Sequence, residues 1–508
     1  ARNMPHLREI EQRPSMLMHV QGSSIPFIPN GPSAMFDSLY TAIFVAANRN
    51  LDDSAPALIL AASTRYLLAP PDEKEAAGLL PARLSERLRR LVAGEGAALW
   101  NEHNWIADLP VVDTIRSVTP DMIPRIVQSS FASANPGRLF KRLNAIPFCP
   151  PTDTVRELLA SKINSAPNED AEWLAQIALE HLPQQPHGRA TPLTQKQTER
   201  ICTEWTRTLD KSNPSGAPDG TGLRFSYLQG ALCARPAFTL WMAHLASHKR
   251  SPFLAWWFLT CTLTGQCKTD DQGRYPTNPA DITSARPISR LLILRRLIAK
   301  LLSPRICKAI RPILEPYRQY GLSPSGCPTV SITGQLHCDL APESPHAPLD
   351  IQNAHSAISR KPIILTLLMM VKRYPENPAH RNHLLWNLAF YAVSHTVVFI
   401  QTDKPSVAPF CETTQTDSLL QGDGVATPTF DLTYTIQIIP KLISCFPSNT
   451  FDEILCHDDT TVIASTYLLP EDDPDGTRLA EISDDELRRL ILSFSRCDLD
   501  PVEAARQF

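Results

Sequence analysis

The chain has 508 residues, 43 % hydrophobic and 20 % charged, which excludes a mainly disordered protein and predicts buried cores over roughly three domains of about 150 residues. Its formal net charge of −3 excludes nucleic-acid binding driven by overall charge, and Arg286 to Arg311 is the best segment for a local basic surface. No apolar run reaches the roughly 18–20 residues of a membrane span, and the 12 cysteines contain no Cys-x-x-Cys pair, which excludes a zinc finger.

Proline is abundant, 46 residues against 19 glycines, so short helices and stiff extended connections are expected. Residues 1–190 read as mainly helical. Apolar residues recur at helical spacing over 33–47, 55–68, 84–93 and 152–159. Pro70-Pro71, Pro110, Pro150-Pro151, Pro183 and Pro186 punctuate them. The polar stretch 182–195 is the best boundary. A helix over 198–209 follows, then the loop 213–220, and 253–262 reads as a core helix holding Trp256 and Trp257. The polar segment 266–281 predicts a hairpin or loop, and 288–302 and 306–314 predict two helices.

From 328 onward short apolar runs stand beside isolated polar landmarks, at 348–360, 396–401, 419–438 and 454–465. Strands mixed with helices are expected there, hence an α/β or α+β fold. The run 363–371 reads as a core helix. Residues 484–493 predict an amphipathic helix capped by Ser483 or Asp484. The dispersed cysteines predict buried, reduced thiols in an intracellular protein. The lack of a membrane-length apolar run predicts no membrane partner, and the compartment expected is the nucleus or an organelle, between which the sequence does not choose.

Asp-Asp occurs five times, beginning at positions 52, 270, 458, 472 and 484. Four sit in polar or helix-start contexts and read as solvated turns or caps. Asp458-Asp459 differs, because Ile454-Leu-Cys-His457 precedes it and Thr460-Thr-Val-Ile-Ala-Ser465 follows. That pattern predicts a hairpin with two carboxylates at its tip, or else a solvated turn. Adjacent carboxylates repel unless a cation joins them, so a working pair implies a magnesium site.

Three further segments stand in order before it. Ser284-Ala-Arg-Pro-Ile-Ser-Arg leads into Leu-Arg-Arg-Leu-Ile-Ala-Lys300. Leu349-Asp350-Ile-Gln-Asn-Ala-His355 ends in Ile-Ser-Arg360. Leu420-Gln421-Gly422-Asp423 makes a tight turn before an apolar run. With these, the sequence resembles the reverse transcriptases of non-LTR retrotransposons, over about 200–480 and more loosely over 55–170. Ala217-Pro-Asp-Gly220 with Arg224 resembles the segment that precedes the fingers in that family.

The resemblance implies a right-hand fingers-palm architecture with a reduced or absent thumb. Residues 1–190 would be a helical N-terminal region, 191–340 fingers-like, 341–480 the palm, and 481–508 a C-terminal helix and tail. It implies RNA-directed DNA polymerisation by two-metal nucleotidyl transfer, with magnesium as cofactor and an RNA template, a primer and deoxynucleotides as partners. Asp350, Asp458 and Asp459 would be both catalytic and metal-holding. Arg286, with Lys268 as a second fingers cation, would contact the nucleotide triphosphate. His355 would take the place of the sugar-sensing aromatic, and Gln421 and Gly422 would line the nucleotide pocket. Arg295, Arg296 and Lys300 read as an exposed helix face or as a nucleic-acid contact.

The sequence departs from the family at His355, at Cys456-His457 before the paired aspartates, at Gly424-Val425 after the turn, and at Glu503, where a lysine is expected. These departures imply the alternative: a catalytically degenerate reverse-transcriptase-fold protein serving as an RNA-contacting or structural subunit of a larger complex, with RNA or protein partners.

Overall fold

A computed structural model of the chain describes residues 5–18, 28, 30–50, 54–68, 80–102, 127, 146–163, 195–213, 219–247, 252–270, 272–276, 278–323, 326–340, 346–350, 354–373, 391, 396–401, 410–415, 417–440, 451–456 and 459–464. The fold is mixed α/β. In chain order its principal elements are α1 (Pro5–Gln12), α2 (Asn30–Arg49), α3 (Ala55–Leu68), α4 (Leu80–Val92), α5 (Gly96–Glu102), α6 (Asp153–Ile163), α7 (Gln195–Asp210), α8 (Phe225–Gly230), α9 (Arg235–Ser247), α10 (Pro252–Leu259), β1 (Cys261–Cys267), β2 (Ala285–Leu291), α11 (Ile293–Leu314), α12 (Gly326–Leu340), β3 (His346–Asp350), α13 (Ala354–Ala357), α14 (Arg360–Arg373), β4 (Thr396–Gln401), β5 (Phe410–Gln415), α15 (Ala426–Thr433), β6 (Phe451–Cys456) and β7 (Asp459–Ala464). The predicted helix at 484–493, its cap Ser483 or Asp484, and Glu503 lie outside the described residues. Among the described residues no helix is long and apolar enough to cross a membrane.

The chain divides into two compact units. One comprises Ala1–Ile163, Gln184–Ile298 and Thr396–Gln415, the other Asn164–Pro183, Ala299–His395 and Thr416–Phe508.

The first unit is helical around an aromatic core. In α2, Phe36, Tyr40, Ile43, Phe44 and Ala47 recur at helical spacing and all are buried. Phe36 stacks on Tyr40 at 4.3 Å, and Phe44 meets Phe238 of α9 edge-on at 4.9 Å. Each such ring contributes roughly 1.5–3 kcal/mol by leaving water. Asn48 donates from Nδ2 to the Ala237 carbonyl at 2.7 Å, which ties the ends of α2 and α9 together.

The unit's sheet has the order β2-β1-β4-β5, with β1 and β4 parallel and the other neighbours antiparallel. The apolar run at 253–262 is helical only to Leu259, and its last two residues belong to β1. The run predicted as a helix from 288 likewise begins as strand, since β2 spans Ala285–Leu291 and buries alternate residues. Two-residue alternation in Arg-Pro-Ile-Ser-Arg-Leu decides this locally, and the β1 ladder from Cys261↔Leu291 to Cys267↔Ala285 fixes it. Trp257 is fully buried, as its apolar setting predicts.

In the second unit, β3, β7 and β6 form an antiparallel sheet in that order. α14 packs on α15, and α12 on β6. The two helices predicted on either side of Pro304 are one, α11, which carries Pro304 and Pro312 inside it. An interior proline costs about 3 kcal/mol. Leu302, Ile306, Ile310 and Leu314 recur every fourth residue and are buried, and their packing outweighs that cost.

Candidate functional site

The predicted hairpin around the acidic pair is present. β6 and β7 pair from Phe451↔Ala464 to Cys456↔Asp459. β3 lies along the other edge of β7, from His346↔Ile463 to Asp350↔Asp459. Asp350, the last residue of its strand, is therefore directly opposite Asp459, the first residue of the next. Opposite positions of an antiparallel pair share one face, with Cα atoms about 4.5–5.5 Å apart. Two segments 109 positions apart in sequence thus bring an aspartate each to one point of the sheet. Asp459 belongs to the strand itself. Asp458 and His457 fall between β6 and β7 and lie outside the described residues.

A buried polar latch holds the adjoining segments of this unit. The Arg360 amide donates to Asp417 Oδ1, and Arg360 Nε donates to the Ser418 carbonyl at 3.2 Å. The Ser418 amide also donates to Asp417 Oδ1, at 2.8 Å. Burial raises the Asp417 pKa, while these donors and the Arg360 charge oppose the rise. The next residue, Leu419, donates its amide to the His355 carbonyl at 2.8 Å. Arg360 at the end of one sequence motif and Asp417 just ahead of another therefore fix the two motifs to each other.

The Gln421-Gly422-Asp423 turn follows at once. Gly422 has φ 112°, in the left-handed region where a side chain is strained. Gly422 is exposed, Gln421 is half-buried and Asp423 is buried. Asp423 Oδ2 accepts the Tyr391 hydroxyl at 3.0 Å, and Oδ1 accepts the Val425 amide at 3.3 Å. His355 is half-buried, and its ring stacks on Phe430 of α15 at 5.3 Å and 26°. Phe430 in turn stacks on Tyr434 at 5.5 Å. The histidine plane is thus held by a stack of rings.

In the first unit, Lys268 directly follows β1 and is half-buried, whereas Arg286 on β2 is exposed and opposite Gln266. Lys162 of α6 reaches the same end of the hairpin. Its Nζ donates to Ser284 Oγ at 3.1 Å and to the Ala285 carbonyl at 2.8 Å. Burial, and then the charge of Lys268, lower its pKa. Sequence reading passed over Lys162, because a lone lysine near a helix end carries no local signal.

Asp219 is a second residue with a larger role than its motif suggested. It is 3 % exposed. Oδ1 accepts the Thr221 amide at 2.9 Å, the Thr221 hydroxyl at 2.7 Å and the Leu223 amide at 3.1 Å. Oδ2 accepts the Ile293 amide at 2.8 Å, capping the start of α11 from 74 residues away. Burial raises its pKa against the pull of all these donors.

The cations on α11 correct another expectation. Arg295 is 1 % exposed, so neither an exposed helix face nor a nucleic-acid contact describes it. Arg296 lies over the Phe225 ring at 5.1 Å and is half-buried; Lys300 is exposed. Guanidinium groups pack flat on rings and apolar walls in a way an ammonium does not. Asp270, the first of its acidic pair, holds an ordinary turn: its Oδ1 accepts the Gln272 amide at 2.9 Å and the Arg274 amide at 2.8 Å. Among the described residues no group of three or more His, Cys, Asp or Glu stands together as a metal centre.

No family model matches the chain, and no curated protein matches it.

Proposed function

We propose that the chain is a reverse-transcriptase-like nucleotidyltransferase, an RNA-directed DNA polymerase whose palm is the second unit. The observation that carries this reading is the strand register, which makes Asp350 and Asp459 cross-strand partners beside Asp458. A sequence pattern alone does not require those two aspartates to meet.

The donor chemistry fits magnesium, which takes a few carboxylates and fills its other positions with phosphate oxygens and water. Asp350, Asp458 and Asp459 would hold it, and when bound it would stabilise charge on the attacking and departing oxygens. The remaining work belongs to the protein's own groups. Neighbouring carboxylates repel in the absence of a cation, so a cluster of Asp350, Asp458 and Asp459 would favour taking up positive charge. The Arg360–Asp417 latch sets the Gln421-Gly422 turn against the segment carrying His355. The stack on Phe430 fixes the imidazole plane as a wall, the role of a ring that screens the sugar 2′ position. Gly422 lets main chain approach a substrate closely, since no Cβ projects there. Arg286 and Lys268 are the candidates for phosphate contact that the resemblance supplies; the proposal rests on the second unit's carboxylates.

The test is primer extension on a primed RNA template with magnesium and deoxynucleotides, comparing the chain with Asp458→Asn. Extension by the chain and none by the variant is the expected result. Intact template binding with no extension from either protein would reject polymerisation and leave the RNA-contacting subunit.

A further inference from the structure

The first unit carries a chemistry of its own, in sulfur, which does not depend on the polymerase reading. Residues 146–150 run antiparallel to the end of β1, with Phe148 and Gln266 as bridge partners. Two main-chain hydrogen bonds flank the bridge: Cys149 N–H to the Gly265 carbonyl at 2.8 Å, and Cys267 N–H to the Pro147 carbonyl at 2.9 Å. Cys149 and Cys267 each stand one residue from the bridge, so the pleat puts both on the face opposite Phe148 and Gln266. They are diagonal neighbours, and their Sγ atoms are 3.4 Å apart across 118 residues of chain.

The residue opposite Cys149 is Gly265. A Cβ there would come within 3.3 Å of both Cβ and Sγ of Cys149. Glycine is what leaves room for the Cys149 side chain over the strand. Both cysteines are free thiols, Cys149 half-buried and Cys267 buried.

We propose that Cys149 and Cys267 are a redox-active pair that closes to an intramolecular disulfide by exchange with a small-molecule disulfide such as oxidised glutathione. Cys149, the more accessible sulfur, attacks as its thiolate. Its Sγ bonds to one glutathione sulfur, the glutathione S–S bond breaks, and one glutathione leaves and takes up a proton. Cys267, having given up its own proton, then attacks Cys149 Sγ, which forms the protein disulfide and expels the second glutathione. Two protein thiols lose two electrons and two protons, and one glutathione disulfide becomes two glutathione thiols. The sulfurs must close from 3.4 Å to about 2.0 Å. A second thiol already in contact acts at high effective concentration, so closure outcompetes a persistent mixed disulfide.

Burial pushes the Cys149 thiol up to about 12 and raises Cys267 as well. Exchange is therefore slow at neutral pH and accelerates about tenfold per pH unit below that value. The bond would staple the segment ahead of α6 to the strand whose next residue is Lys268.

The experiment is a peptide map of the native full chain. The protein is equilibrated at pH 8.5 over a series of oxidised-to-reduced glutathione ratios, acid-quenched, alkylated and digested without reduction. A Cys149–Cys267 linked peptide should rise with the ratio as the dominant linkage and vanish with dithiothreitol. Gly265→Ala, whose Cβ crowds Cys149, should lower its yield severalfold. Separate glutathionylation or alkylation of the two sulfurs with no linked peptide would overturn the proposal, as would linkage seen only in urea-unfolded protein.

Discussion

Asp219 offers the sharpest test of how the first unit is held together. Its carboxylate receives four hydrogen bonds, three on Oδ1 and one on Oδ2. In Asp219→Asn the amide oxygen can keep the Thr221 and Leu223 donors. The amide nitrogen then faces the Ile293 N–H, donor against donor. A hydrogen bond to a charged group contributes about 1.5–3 kcal/mol, so this variant should lose about 2 kcal/mol, localised at the start of α11. Asp219→Ala removes every acceptor and leaves three backbone N–H groups buried without one, for about 4 kcal/mol spread over Thr221, Leu223 and Ile293. Native-state hydrogen exchange reads each amide separately. We predict roughly 30-fold faster exchange at Ile293 in Asp219→Asn, with Thr221 and Leu223 little changed, and acceleration at all three in Asp219→Ala. Unchanged Ile293 protection in Asp219→Asn would refute the assigned role of Oδ2. Equal acceleration at every amide would refute the division of labour between the two oxygens.

The remaining predictions follow the same reasoning. Burial raises the folded pKa of Asp219 and of Asp417 above the unfolded carboxylate value of about 3.9. The folded state therefore binds more protons just above that pH, and the stability tied to these groups is full below about pH 4 and is lost as pH rises through the folded pKa. Asp219→Asn should flatten part of that slope in urea titrations run from pH 4 to 7; a profile parallel to the parent's would contradict the raised pKa. Arg360→Ala removes the Nε hydrogen bond to the Ser418 carbonyl but keeps the main-chain bond to Asp417, and should cost about 1–2 kcal/mol, read as reduced protection of the Leu419 amide. Tyr391→Phe removes the 3.0 Å hydrogen bond to Asp423 and should cost about 1 kcal/mol in thermal unfolding, with a neutral result arguing that water replaces the hydroxyl.

Local pattern alone determined a good deal of this protein. The apolar spacing of 33–47 marked α2, whose buried positions are those of one helical stripe. The flanks of Asp458-Asp459 marked the β6–β7 hairpin, because alternation and β-branching are properties of a few consecutive residues. The mixed α/β class followed from the same short-range signals. Tertiary structure decided what joins distant segments. The pairing of β3 with β7, and so of Asp350 with Asp459, is a register set by partners far apart in sequence. The same holds for Asp219 at Ile293, Arg360 at Asp417 and Cys149 at Cys267. It holds also for α11, where burial on one face carries the helix through Pro304 although local propensity would end it there. A turn or a cap is written in neighbouring residues. The identity of the group it meets across the fold is settled only when burial makes each polar atom find a partner.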